Sequence, residues 1–193
     1  MATMKHGTVI PTRELASVNG PPVTIPDPQR LTHLQFRRFA GCPLCNLHLR
    51  AVIRRHAEIE AAGIREVVVF HSPAAELAEH AGHLPFPLIA DPGKRLYVEF
   101  AVESKVRSLL DPRVWGTIAR AATLSTWRIL RRRERPPAAR PHGGRFGLPA
   151  DFLIGQDGTV LSVKYGEHAY DQWSVDELLA LASSVPTGAN DSR

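Results

Sequence analysis

The feature that most constrains the fold is an alternation of strand-like and helix-like segments in the first half of the chain. Residues 31–39 and the β-branched run "IREVVVFHS" predict strands, because both are too short for ordinary helices. Between them, apolar side chains from Leu44 to Ile59 recur every three or four positions and predict a helix. "SPAAELAEHA" predicts a second helix, and "PFPLIADPGKRLYVEF" predicts a short strand, a turn and a third helix. Strands that alternate with helices favour an α/β fold with parallel strands.

The C-terminal part predicts a different pairing. "PADFLIGQDGTVLSVKYG" contains two strand-like runs joined at Asp157-Gly158, a dipeptide typical of hairpin turns. "SVDELLALASSV" then opens a helix with a capping box, Ser174 and Glu177. We therefore predict a mixed sheet flanked by helices, in one domain over residues 1–185. The remaining residues, 186–193, are expected to be a disordered tail.

Residues 105–145 interrupt this pattern as a basic insertion. They contain 11 Lys/Arg and 2 Asp/Glu, a net charge of +9, whereas the rest of the chain contains 13 and 17, a net charge of −4. Asp111-Pro112 predicts the start of a helix that runs to about Arg133, followed by a basic loop. Four interpretations stay open: a helix packed on the domain with a solvated basic end, contact with an anionic membrane, a lid or dimer contact, and nucleic-acid binding. Nucleic acid is the partner we favour least.

The composition indicates in which cellular compartment the protein is expected. The longest apolar run is too short to cross a bilayer, and the N-terminal stretch "MATMKHGTVIPTRELASV" lacks the apolar region of a secretory signal. The 2 cysteines are too few for a disulfide scaffold. We therefore expect a reducing, cytoplasmic location, where a close cysteine pair is more often reactive than structural. No phosphate loop, nucleophile elbow or carboxylate pair stands out.

Both cysteines lie in "RRFAGCPLCNLHLR", where a predicted strand meets a predicted helix. The free N–H groups and positive dipole end of the helix favour a thiolate at Cys42, and Cys45 lies one turn further along, within reach for a disulfide. Gly41 would let a substrate approach the backbone. Of Arg37 and Arg38, strand alternation predicts that only one faces the sulfurs.

Two other interpretations of the cysteine pair stay open. In the first, both thiols are small buried side chains without a chemical role, as many cysteines are. Alternatively, Cys42, Cys45 and His48 are spaced like zinc ligands, with His33 or His71 as the fourth. Residues six apart on a helix point about 120° away from each other, so we expect no metal and no other cofactor. His48 is then interpreted as an ordinary residue of the helix surface.

The quoted stretches resemble a known family. "FRRFAGCPLC", "EVVVFHS", "PFPLIADPGKRLYVEF" and "ADFLIGQDGTV" are similar to peroxiredoxin-like proteins of the alkyl-hydroperoxide-reductase/thiol-specific-antioxidant branch of the thioredoxin superfamily. The resemblance covers roughly residues 20–104 and 144–183 and implies a thioredoxin-like fold. The family's Pro-x-x-x-Thr-x-x-Cys signature is not matched, because Phe39 stands at the Thr position counted from Cys42 and Gln35 at the Pro position. Counted from Cys45, the Thr position is Cys42 itself, as in a thioredoxin Cys-x-x-Cys.

The resemblance also implies candidate residues around the dithiol. "GLPADFLIGQDGTV" looks like the thioredoxin stretch whose cis-proline faces the cysteines, so Pro149 is expected to be cis and to present its neighbouring backbone to substrate. The alternative is a trans proline that begins a strand. The family places an arginine near the reactive sulfur just before this strand, a position for which Arg145 is a candidate.

The function implied is a thiol-disulfide oxidoreductase of peroxiredoxin-like type that reduces peroxides or disulfides. Cys42 attacks as the thiolate, Cys45 resolves the product as a disulfide, and a thioredoxin- or glutathione-type donor reduces it. Gly41, Arg38 and Pro149 are the candidate substrate-binding residues. The alternative function is a non-catalytic thioredoxin-fold module for binding or redox sensing, which docks through its basic insertion. The physiological substrate, the donor and the oligomeric state, including a homodimer, stay open.

Overall fold

The elements follow the order expected from the sequence. A computed structural model describes residues 3–81, 83–102, 115–131, 141, 144 and 147–185. In chain order the elements are β1 (Arg13–Leu15), β2 (Val23–Ile25), β3 (Leu31–Arg37), α1 (Pro43–Arg54), α2 (His56–Ala61), β4 (Ile64–Phe70), α3 (Ala74–Ala81), β5 (Leu88–Ala90), α4 (Arg95–Glu99), α5 (Trp115–Leu130), β6 (Ala150–Ile154), β7 (Val160–Tyr165) and α6 (Val175–Ser183).

A five-stranded mixed sheet, ordered β5-β4-β3-β6-β7, forms the centre of the structure. β3 pairs in parallel with β4, which pairs in parallel with β5, whereas β6 pairs antiparallel with both β3 and β7. In the middle of the sheet, Leu34 of β3 is opposite Val67 on one side and Phe152 on the other. The mixed thioredoxin-like sheet predicted from the sequence is confirmed. Strands β1 and β2 form a separate small antiparallel pair.

Apolar side chains cover both faces of the sheet. On one face, Leu49 of α1, Leu77 of α3 and Leu178 of α6 join a cluster that also contains both cysteines. On the other face, Phe36 and Phe152 pack against Phe100, which follows α4, with ring centroids 5.2 and 5.1 Å from it. The central strand β3 is therefore buried on both faces, which places its C-terminal end, where α1 begins, at the boundary between sheet and helices.

Two local features refine the sequence prediction. The helix predicted from Leu44 to Ile59 is broken at Arg55, whose φ of −114° and ψ of 18° separate α1 from α2. The capping box before α6 is confirmed: the Ser174 hydroxyl accepts the Glu177 N–H at 3.2 Å, and the Glu177 carboxylate accepts the Ser174 N–H at 2.7 Å. Local signals therefore placed the elements well, and tertiary packing set their limits.

The described part of the insertion is the helix α5, which packs against α1. Ala121 and Ser125 are buried on its inner side, whereas Trp115 and Leu130 are exposed. At its C-terminal end, the Arg131 guanidinium lies 4.1 Å from the centre of the Trp127 ring. The predicted start of this helix at Asp111-Pro112, the basic loop after it and the C-terminal tail lie outside the described residues. Within the described part of the chain, no helix is long and apolar enough to cross a membrane.

The expected cis-proline at residue 149 is wrong. Among the described residues the cis peptide bond joins Ile25 and Pro26, and the bond before Pro149 is trans. Pro149 immediately precedes β6, and its carbonyl accepts the Gly166 N–H at 2.9 Å. Its ring packs against Gly166, where a Cβ would come within 2.8 Å of Cγ. Pro149 therefore extends the pairing of β6 with β7 in the way that an ordinary trans proline at a strand start does.

Candidate dithiol site

The site forms where β3 passes into α1. Cys42 is the N-cap of α1, with extended backbone angles (φ −61°, ψ 119°), and Pro43 occupies the first helical turn. The Cys42 carbonyl accepts the Asn46 N–H at 2.9 Å and so begins the helical hydrogen bonding. Before it, Gly41 has a φ of +76°, in the left-handed region that favours glycine. The Ala40 N–H donates to the Ser72 hydroxyl at 3.0 Å, which ties this turn to the end of β4.

Both sulfurs lie beneath the surface and close to each other. Cys42 is 1% exposed and Cys45 is 5% exposed, and neither is in a disulfide. Cys45 lies in the first turn of α1, one turn from Cys42, and the two side chains are hydrogen-bonded to each other. The expectation that Cys42 begins the helix with its partner close by is confirmed. The pair is enclosed by protein, so a small molecule meets less obstruction in reaching it than a folded partner does.

Arg38 is the cation of the site. Its Nη2 donates a hydrogen bond to the Cys42 sulfur at 3.0 Å, and its guanidinium also hydrogen-bonds Cys45. The backbone of Arg38 is held by the His71 N–H, which donates to its carbonyl at 3.1 Å. Gly147, in the loop before β6, lies against the side chain, since a Cβ there would come 3.3 Å from Arg38 Cγ. Arg38 therefore bridges both sulfurs, with its backbone held by His71 and its side chain packed against Gly147. Arg145 lies outside the described residues.

The two cysteines titrate as a coupled pair that carries one negative charge. The hydrogen bond from the Cys42 thiol, with Arg38 and Arg37 nearby, lowers the pKa of Cys45 to about 5 although burial opposes the charge. Burial and the neighbouring Cys45 raise the pKa of Cys42 well above its ordinary value. Two adjacent buried thiols cannot both ionise easily, so the first proton lost makes the second harder to remove. The pair therefore loses one proton readily, and the expected attack by Cys42 stays a prediction.

The expectation that one of the two arginines faces the sulfurs is confirmed, and that residue is Arg38. The side chain of Arg37 instead contacts Gln35, His48 and Asp151. Arg38 binds the sulfurs directly, and the charge of Arg37 lowers the pKa of Cys45 from within the layer between sheet and helix. Arg37 is 1% exposed, and its Nη2 donates to Asp151 Oδ1 at 2.7 Å. Sequence reasoning missed Asp151, which is separated from Arg37 by 114 positions.

His48 is buried, contrary to its interpretation as a helix-surface residue. It is 5% exposed and its Nε2 lies 3.0 Å from Arg37 Nη2, so it faces the sheet and not the solvent. The other proposed ligands lie elsewhere: His33 is bound to Glu66 at 2.9 Å, and the ring of His71 packs against Phe39 with centroids 6.4 Å apart. Within the described residues, no group of three or more His, Cys, Asp and Glu side chains is arranged to hold a metal ion.

Comparison with known proteins identifies the family. The model of the AhpC/TSA antioxidant enzyme family matches residues 52–168, a stretch that begins after both cysteines. No curated protein matches the chain. Among solved structures, peroxidoxin BcpB from Mycobacterium tuberculosis is similar at a TM-score of 0.64 and 18% identity, over 94% of this chain and 98% of that one.

Two further structures resemble the chain at the level of the fold. The C45S mutant of peroxiredoxin 6 from Arenicola marina has a TM-score of 0.62 and 18% identity, over 94% of this chain and 73% of that one. A putative thiol:disulfide interchange protein DsbE from Chlorobium tepidum has a TM-score of 0.59 and 17% identity, over 93% of this chain and 99% of that one. With its family model and its mixed sheet, this chain belongs to the AhpC/TSA antioxidant enzyme family and has the thioredoxin-like fold of the peroxiredoxins.

Proposed function

We propose that the chain is a thiol-dependent peroxidase whose redox centre is the Cys42–Cys45 dithiol. One observation carries the proposal: two hydrogen-bonded thiols lie at the start of α1 beneath an arginine that contacts both. A thiolate is the form of cysteine that attacks peroxides, and an arginine beside it stabilises both the thiolate and the charge that develops on the departing oxygen. The family membership supports a thiol-dependent oxidoreductase in general, and we propose the peroxide substrate and the Cys42–Cys45 dithiol.

The reaction follows from the charge on the pair. The Cys45 thiolate attacks one peroxide oxygen, an S–O bond forms, the O–O bond breaks, and the leaving oxygen takes up a proton to become water or an alcohol. The Cys42 thiol then attacks the Cys45 sulfenic acid, and the disulfide forms with release of water. The roles of the two cysteines are therefore the reverse of those expected from the sequence.

Completion of the cycle needs an external reductant. A thioredoxin- or glutathione-type thiol in a reducing compartment such as the cytoplasm would exchange with the disulfide and restore both thiols. The main alternative is reduction of disulfide substrates by the same dithiol. The low exposure of both sulfurs, 1% and 5%, favours a small peroxide over a folded disulfide substrate as the species that meets the thiolate. Gly41 and Pro149 stay candidate substrate-binding positions.

Stoichiometric oxidation followed by mass spectrometry tests the proposal. The reduced protein is mixed with one equivalent of hydrogen peroxide, and in parallel with an oxidised small dithiol. We expect rapid loss of two hydrogens from the wild type with peroxide, a trapped sulfenic acid in Cys42→Ser, and no fast reaction in Cys45→Ser. Thiols that survive peroxide for hours would support the non-catalytic binding or redox-sensing module, and a faster reaction with the dithiol would indicate a disulfide reductase.

A further inference from the structure

A buried polar cluster lies between α1 and the sheet, below the cysteine pair. Its members are six side chains that are each no more than 5% exposed: His33, Gln35 and Arg37 of β3, Glu66 of β4, Asp151 of β6 and His48 of α1. The three β3 residues are alternate positions, so they share the face that looks towards α1, while Leu34 and Phe36 look the other way. Three of the four β3 residues on this face are thus polar and buried, which is unusual in a central strand because polar groups are costly to bury.

Arg37 is the centre of this cluster. Its Nη2 donates to Asp151 Oδ1 at 2.7 Å, lies 3.0 Å from His48 Nε2, and also donates to Gln35 Oε1. The second oxygen of Asp151 accepts the Trp173 backbone N–H at 3.0 Å. Burial and the charge of Arg37 lower the pKa of His48 well below its ordinary value, so His48 is neutral and accepts the Arg37 hydrogen bond. Arg37 is therefore held from three elements of the fold.

The second half of the cluster closes around Glu66. His33 Nδ1 lies 2.9 Å from one Glu66 oxygen, Gln35 donates to the same carboxylate, and His33 Nε2 is 3.5 Å from Asp151 Oδ1. Burial opposes the charge of His33, but Glu66 and Asp151 together raise its pKa to about 9. His33 is therefore a cation at neutral pH, placed between two carboxylates.

The contact with His48 places Arg37 beneath the start of α1. His48 lies in α1 three positions after Cys45, and its Nε2 is 3.0 Å from Arg37 Nη2. The charge of Arg37 is one of the causes that lower the pKa of Cys45. Conversion of the dithiol to a disulfide removes the thiolate that this charge stabilises.

Two tyrosines near the pair carry no charge at neutral pH. Tyr97 of α4 and Tyr170, in the loop before α6, both have a pKa raised by burial. The Tyr97 hydroxyl donates to backbone carbonyls of β3 and β4, one of them Val69 O at 3.0 Å. The cations that lower the pKa of Cys45 are Arg37, the last residue of β3, and Arg38, which follows it.

We propose that Arg37, held by Asp151 and His48, is a positioning residue that stabilises the singly ionised dithiol from below and makes the Cys42–Cys45 disulfide strongly oxidising. This inference rests on the proposed dithiol chemistry. A group that stabilises the reduced, ionised pair more than the disulfide shifts the thiol-disulfide equilibrium towards the thiols by the same factor by which it favours ionisation. Stability alone does not account for the cluster, because apolar side chains fill such a layer at least as well.

The test measures the ionisation of the reduced pair by thiolate absorbance and its equilibrium with a glutathione redox buffer. The double variant Arg37→Gln/Asp151→Asn removes both charges together. We expect the pKa of the pair to rise, and the thiol-disulfide equilibrium to shift towards the disulfide by about tenfold for each unit of that rise. In Asp151→Asn alone, Arg37 keeps its charge without its partner, so both quantities should shift in the opposite direction. The matched control is Arg65→Gln with Asp27→Asn, which removes an ion pair of 2.8 Å on the far side of β4.

The direction of the shifts in the pKa of the pair and in its redox equilibrium distinguishes an electrostatic role of Arg37 from a structural one. Opposite shifts in the two variants, with an unchanged control, support the proposal. Shifts in the same direction, or no shift in variants that retain the wild-type circular dichroism, overturn it. If the double variant does not fold, Asp151→Asn decides: a thiolate fraction that falls or stays the same overturns the proposal. Ionisation is measured without peroxide, so an inactive protein that shows the opposite shifts refutes the peroxidase function and leaves this inference standing.

Discussion

The Arg38 guanidinium and the Cys42 sulfur lie 3.0 Å apart, and the same guanidinium hydrogen-bonds Cys45. A single cation thus serves two sulfurs that share one negative charge. Since the planar guanidinium carries several N–H donors in a fixed arrangement, it can bridge the pair where a lysine would offer a single point charge. The acidity of the pair, its pH range and its reactivity all depend on this arrangement.

Removal of the Arg38 charge should make the pair less acidic. In Arg38→Gln we expect the pKa of Cys45 to rise, and the ionised fraction near pH 5 to fall by about tenfold for each unit of that rise. The measurement is thiolate absorbance against pH on the reduced protein. Arg65→Gln, which removes a cation distant from the sulfurs, is the control. An unchanged titration in folded Arg38→Gln would show that the contact does not govern ionisation.

The hydrogen bond from Cys42 should be replaceable by a hydroxyl but not by a methyl group. Because the Cys42 thiol donates to Cys45, Cys42→Ser keeps a donor and should leave the pKa of Cys45 near 5. Cys42→Ala removes the donor and should raise that pKa by about one unit, a tenfold loss of thiolate at low pH. The two variants differ by one oxygen atom, so each is the control for the other. Equal titration curves for the pair would contradict the hydrogen bond.

The rate of reaction with peroxide should fall as the pH is lowered through about 5. The folded pKa of Cys45 is lowered to about 5, so the thiolate is present above that pH and disappears as the pH falls through it. We expect the rate of sulfenic acid formation in Cys42→Ser to be level around neutral pH and to fall about tenfold for each unit below 5. Rapid-mixing fluorescence or quenched mass spectrometry measures this rate. A midpoint near that of an ordinary thiol would refute the assignment.

The buried His33 should link stability to pH. Its pKa is raised from 6.5 to about 9 on folding, so its contribution is fully present below 6.5 and is lost as the pH rises through 9. The contribution of Cys45 to stability has the opposite pH dependence. Its pKa is lowered on folding, so that contribution is complete only above the pKa of the unfolded state. In the double variant Cys42→Ser/Cys45→Ser neither thiol titrates, and the free energy of unfolding should fall by about 3 kcal/mol at most over that range because of His33. Urea denaturation at several pH values measures this, and a flat profile would contradict it.

The contact between Gly147 and Arg38 should tune reactivity without affecting the fold. A Cβ at Gly147 would lie 3.3 Å from Arg38 Cγ, so Gly147→Ala displaces the side chain by a few tenths of an ångström. Misplacement of a catalytic group by 1 Å costs about a hundredfold, so we expect a loss of less than about tenfold in the peroxide rate. Gly20→Ala, where a Cβ meets nothing within 4 Å, is the matched control. Equal rates in both variants would show that Arg38 adapts freely.

Local sequence signals determined the order of elements and the place of the dithiol. Three features each depend on residues only a few positions apart and can therefore be predicted from local sequence. They are the Asp157-Gly158 hairpin, the capping box at Ser174 and the strand-to-helix junction that carries Cys42. Together they were enough to predict a thioredoxin-like mixed sheet with the cysteines at a helix N-terminus.

Only the tertiary structure decided the electrostatics of the site. Alternate polar residues in β3 are typical of a strand with one solvated face, and nothing local shows that β3 lies in the centre of the sheet, where His33 and Arg37 face Asp151 of β6. The burial of His48 and the trans bond before Pro149 likewise depend on how the elements pack and not on local sequence. Periodicity records which side chains share a face, whereas the energy of a charge depends on what that face meets after folding.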